Sequence, residues 1–152
     1  MTGVQTCALP IYGAAKAAID SLAVTLSYEL ARFGVETSIV VPGAFTSGTD
    51  HFPSAGKPAD SARAEAYARY DGVMDQIGER LTALTPPDAD PRAVADEVVR
   101  IVGLAKGTRP MRSVIDFVGD GAAQVLEVSE RVRIDFAKRI GMGDLLEAKV
   151  SR

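Results

Sequence analysis

Apolar residues recur at three- and four-residue steps between Tyr12 and Phe33, where Ile19, Leu22, Leu26, Leu30 and Phe33 share one face of a proline-free, alanine-rich stretch. The spacing predicts a long amphipathic helix that stops at Gly34. Val35 to Val41 follows, rich in β-branched residues, and reads as a strand closing at Pro42-Gly43. Because Ile39, Val40 and Val41 are apolar on consecutive positions, both faces of that strand are expected to be covered, as in a parallel sheet with helices on each side.

From Pro42 to Lys57 the chain is polar and rich in Gly, Ser, Thr and Pro, which predicts a surface loop. Pro58 suits a first helical position, and Tyr67, Tyr70, Met74, Ile77, Leu81 and Leu84 form a stripe, so helices with an apolar underside are expected over residues 58–84 as a lid. Gly72 and Gly78 mark where that run breaks. Asp90 and Pro91 read as an N-cap and a first-turn proline of a helix carrying Val94, Val98, Ile101 and Val102, ending between Gly103 and Gly107. Val114 to Val118 predicts a second strand, Gly119 to Gly121 a turn, and Ala122 to Ile140 a last helix stopped by Gly141, with Asp144 capping a short tail. Helix alternating with strand gives an α/β class, and two strands beside four or so helices read as the C-terminal half of a doubly wound parallel sheet, incomplete and helix-rich.

Composition narrows the function. The 152 residues are 47% hydrophobic, enough to supply a sizeable core, and their net charge of −3 comes without any Lys/Arg run, which argues against nucleic acid as a partner. No stretch approaches the roughly 18 apolar residues of a membrane span, and the opening lacks the pattern of a signal peptide, so a cytoplasmic protein without a membrane partner is expected. One cysteine, Cys7, and one histidine, His51, exclude an internal disulfide and make a Cys/His metal cage untenable.

The chemistry-bearing feature is Tyr12-Gly-Ala-Ala-Lys16, whose spacing of four puts a phenol and an ammonium on one helical face. A phenol ordinarily titrates near about 10, and an adjacent cation favours its phenolate, which brings it toward a useful acid/base range.

Tyr12-x-x-x-Lys16, then Ala17 to Leu22, a long helix, a short apolar strand and Pro42-Gly43, together resemble the short-chain dehydrogenase/reductase family. The resemblance runs to about Leu146 and is most specific in its first third. It implies a Rossmann-type NAD(P)-binding domain over residues 12–152, transferring hydride between NAD or NADP and a small alcohol or carbonyl substrate. Tyr12 would be the acid/base, and Lys16 would hold the nicotinamide ribose and assist Tyr12. Pro42, Gly43, Phe45 and Ser47 would meet the nicotinamide end, with Thr46 an alternative to Ser47. The resemblance also implies a homo-oligomer for the full-length form. His51 and Phe52 fall where the family's substrate loop begins, although a lone loop histidine is more often solvated. Tyr67 and Tyr70 read as packing rather than a substrate box, and Arg109 and Arg112 as solvated cations, with a phosphate or carboxylate partner the alternative.

The family's Gly-rich phosphate turn, structural asparagine and catalytic serine belong upstream of Tyr12 and are not found here, so the chain is expected to be inactive alone. Met1 to Ile11 shows neither helical nor strand period and resembles a translated DNA-sequencing adaptor, which implies a foreign segment. Two rival readings remain: an epimerase or dehydratase of the extended branch of the family, which shares the Tyr/Lys pair, and a non-catalytic helical interaction module.

Overall fold

The computed structural model describes residues 4–50, 54, 59–70 and 72–148, with the side chains of 4–11, 74 and 75 left aside. The chain is a helix-rich α/β protein with a two-stranded parallel sheet. Its elements are α1 (Val4–Ala31), β1 (Ile39–Pro42), α2 (Ser61–Ala66), α3 (Val73–Leu84), α4 (Arg92–Gly103), β2 (Arg112–Ile115) and α5 (Ala122–Arg139), with short 3₁₀ turns at Ala68–Tyr70 and Gly143–Leu145. It divides into two compact units, one of Met1–Ala18 with Ala44–Pro91 and one of Ile19–Gly43 with Arg92–Arg152.

In the second unit β1 and β2 pair in parallel, Ile39 opposite Arg112 through Pro42 opposite Ile115, and α4 packs on both strands. The strands are shorter than their apolar runs predict, and each difference has a local cause. Val35 to Ser38 is not strand: α1 ends in a Schellman arrangement, Gly34 N–H to Ala31 O at 3.1 Å and Val35 N–H to Leu30 O at 3.3 Å, with Gly34 at φ 68°. Glu36 is then drawn aside to Arg109. The second strand spans 112–115 rather than 114–118, because the Asp116 carboxylate accepts the N–H groups of Val118 and Asp120 and curls the chain out of the ladder. Helix α5 closes as α1 does: Gly141 at φ 80° sends its N–H to Lys138 O, and Met142 reaches Ala137 O at 2.8 Å.

Four further expectations change. Helix α1 starts at Val4 rather than Tyr12, extending the alanine-rich stretch through Pro10, which has no N–H for the ladder. The lid region is broken at Gly72, whereas Gly78 lies inside α3; α2 begins after Asp60, whose carboxylate accepts from Arg63 N–H, and Pro58 falls outside the described residues. Helix α4 begins at Arg92, after Pro91. Asp144 pairs with Arg32 at 3.1 Å, while Met142 precedes the final turn.

The expected core is small. The buried apolar side chains among the described residues are Ala31, Ala89, Ile101 and Ala137. Ile39, Val40 and Val41 are half-buried, so the two-sided cover expected of them is incomplete. On α1, Ile19 is 60%, Leu22 58% and Phe33 78% exposed. In the other unit Tyr67, Tyr70, Ile77 and Leu84 are exposed and Leu81 is half-buried, so the stripe is only partly covered among the described residues.

Candidate functional site

Helix α1 presents Tyr12 and Lys16 one turn apart, both exposed, and the Lys16 Nζ lies 5.3 Å from the centroid of the Tyr12 ring. The four-residue spacing is what lets the lysine stem lie back along the helix toward the ring. At that distance the ammonium interacts favourably with the ring face, an exposed cation–π contact worth on the order of 0.5–1 kcal/mol. Tyr12 is 53% exposed. The pair predicted from spacing is therefore brought together.

Pro42 ends β1 at its carboxyl edge, and the Gly43 N–H donates to Ile115 O at 2.8 Å, continuing the pairing with β2 one residue further. A side chain at position 43 would collide with the neighbouring strand end: an added Cβ would lie 2.6 Å from Asp116 Oδ1 and 3.0 Å from Asp116 Cα. Glycine is thus required where the two carboxyl ends converge, the edge at which open α/β sheets take ligands. Burial works to raise the Asp116 pKa, but the backbone N–H groups of Asp120, Val118 and Gly119 outweigh it and hold the carboxyl below its usual range. Phe45 and Thr46 follow in the loop, half-buried, with Ser47 exposed beside them. His51 and Phe52 lie outside the described residues.

Arg109 and Arg112 are not solvated cations. Arg109 donates through Nε to Ile101 O and through Nη2 to Val102 O and Leu104 O, capping the C-terminus of α4, while its Nη1 meets Glu36 at 2.9 Å. Burial works to raise the Glu36 pKa, but backbone N–H groups of Gly107 and Arg109 and the Arg109 guanidinium hold it low. Arg112 meets two carboxylates, Asp20 at 2.8 Å and Glu130 at 2.7 Å. Both arginines are committed to protein carboxylates. Sequence reading missed these partners because Glu36 is 73 residues from Arg109 and Asp20 is 92 from Arg112. The required contact at Gly43 was likewise invisible, since only the Gly119-Asp-Gly121 pattern hints at the turn behind it.

A phenol and an ammonium stand together on α1. No group of three or more His, Cys, Asp or Glu capable of holding a metal occurs among the described residues. No helix among them is long and apolar enough to cross a membrane. No family model matches the chain, and no curated protein matches it.

Proposed function

We propose that this chain carries the tyrosine/lysine part of an NAD(P)-dependent oxidoreductase of the short-chain dehydrogenase/reductase type, acting in the cytoplasm on a small alcohol or carbonyl compound. The observation that carries this reading is the Lys16 ammonium seated over the Tyr12 ring. The Pro42-Gly43 strand end supports it, as does a Rossmann-type reading of the parallel β1–β2 pair with α4 packed on it. In oxidation, the substrate hydroxyl gives its proton to the Tyr12 oxygen as the carbonyl forms; in reduction, the Tyr12 hydroxyl returns a proton to the carbonyl oxygen. Lys16 would hold a ribose hydroxyl, its ammonium lying 5.3 Å from the Tyr12 ring centroid. By the resemblance, Pro42, Gly43, Phe45 and Ser47, with Thr46 as the alternative to Ser47, would be the residues to meet the carboxamide. When bound, the nicotinamide supplies or accepts the hydride.

In this reading the source gene encodes, besides residues 12–152, a pyrophosphate anchor and a serine near Tyr12. Reading that DNA and expressing the restored protein tests the proposal. Calorimetry is expected to show micromolar binding of NAD or NADP by the restored protein, with little or none by the 152-residue chain. Tight dinucleotide binding by the 152 residues alone would overturn the placement of the anchor.

A second reading, a helical interaction module, is favoured by the exposed Ile19, Leu22 and Phe33 on α1. It predicts that the restored protein binds no dinucleotide.

A further inference from the structure

Within the sheet-bearing unit, five polar side chains close a ring across three elements. Arg112 on β2 donates through Nε (3.3 Å) and Nη2 (2.8 Å) to the two oxygens of Asp20 on α1, and through Nη1 (2.7 Å) to Glu130 on α5. Glu130 also binds Arg133 one turn along α5, and Arg133 Nη1 reaches back to the Tyr28 hydroxyl on α1 at 2.6 Å, its guanidinium 5.3 Å from the Tyr28 ring centroid. The ring therefore grips α1 at two points eight residues apart, about 12 Å along the helix, which fixes both its position and its rotation.

The charges balance, Asp20 and Glu130 against Arg112 and Arg133, and the Arg112 side chain is 9% exposed. Apolar attachment is limited: Ala31 and Ala137 are buried and Ala23, Val24 and Leu30 half-buried, while the larger Ile19, Leu22 and Leu26 on α1 and Val128, Val132 and Phe136 on α5 stay exposed. The one further ion pair seen on this end of α1, Arg32 with Asp144, is exposed at both partners.

We infer that this ring is an acid- and salt-labile clasp, which docks the Ile19–Ala31 stretch of α1 against β2 and α5 and releases it as one segment when Arg112 loses its carboxylates. Arg112 and Glu130 face Asp20 from α1 and Arg133 from α5, and Tyr28 from α1 faces Arg133. The Arg133 hydrogen bonds hold the Glu130 carboxyl below its ordinary range; burial opposes them, and the Arg133 and Arg112 charges add to them. Its contribution is complete above the unfolded glutamate value of 4.5 and is lost as pH falls through the lower folded value, so release comes on the acid side. Salt acts in the same direction by screening the partly exposed Asp20 arm.

Hydrogen exchange on the full chain, corrected for the intrinsic effect of pH, tests the clasp, with α4 as internal reference. Residues 19–31 are expected to lose protection on acidification or at high salt while 92–103 keep theirs. Arg112→Met is expected to produce the same loss at neutral pH and to abolish the acid response of 19–31. If Arg112→Met unfolds the whole chain, Glu130→Gln decides on the same criterion, because it removes the charge and leaves the shape. Residues 19–31 and 92–103 opening together in the unsubstituted chain would overturn the clasp. So would a substituted chain that stays folded with 19–31 as protected as before.

Discussion

Two stretches of the molecule differ in the reach of side-chain bonds seen among the described residues. In the unit built on β1, β2, α4 and α5, side-chain links join residues far apart in sequence: Glu36 to Arg109, Asp20 to Arg112, Ser38 to Pro110 O, and Ser113 to Glu97. In the stretch from Ala44 to Pro91, the bonds made by Asp60, Thr82 and Thr85 reach four residues or fewer along the chain, and the ring contact of Tyr67 with Tyr70, 6.2 Å between centroids, is equally local. The difference teaches that the register of the sheet and the approach of its strand ends rest on a few long-range polar contacts. The side-chain bonds named for the helices of 61–84 are local ones.

Substitutions sharpen that contrast. Arg109→Met removes the cap of α4 and strands the largely buried Glu36, and is expected to cost about 2–3 kcal/mol, read as a lower urea midpoint with lost protection over 92–115. Gly43→Ala forces the Asp116 turn away from β1 and is expected to cost about 2 kcal/mol in the same measurement. Leu84→Ala, at a side chain 64% exposed, is expected to change stability by less than about 0.5 kcal/mol. A Leu84 cost as large as that of Arg109 would erase the distinction between the units.

Element types were legible in the sequence because they depend on local periodicity. The stripe of Leu26 and Leu30, the proline at 91 and the glycines at 34 and 141 locate α1, α4 and α5 to within a few residues, except at the start of α1. Strand limits were less legible, since they are set by side chains that bond across the fold: Glu36 turning to Arg109 shortens β1, and Asp116 ending the ladder shortens β2. The Tyr12/Lys16 pair was legible because a helix makes spacing into contact. The arginine partners were not, because nothing in a one-dimensional pattern joins Asp20, Arg112 and Glu130. The sizeable core expected from an apolar composition did not follow either, since composition counts apolar residues and not the surfaces available to cover them.

The account rests most heavily on Tyr12 as the proton-transferring group, and one substitution tests it in the restored full-length protein. Tyr12→Phe keeps the ring under the Lys16 ammonium and removes only the hydroxyl. Steady-state kinetics with dinucleotide titration is expected to show kcat lower by about 10²–10⁴-fold with cofactor affinity nearly unchanged. Turnover close to that of the unsubstituted protein would contradict the account and leave the Tyr12/Lys16 contact a feature of the helix surface alone.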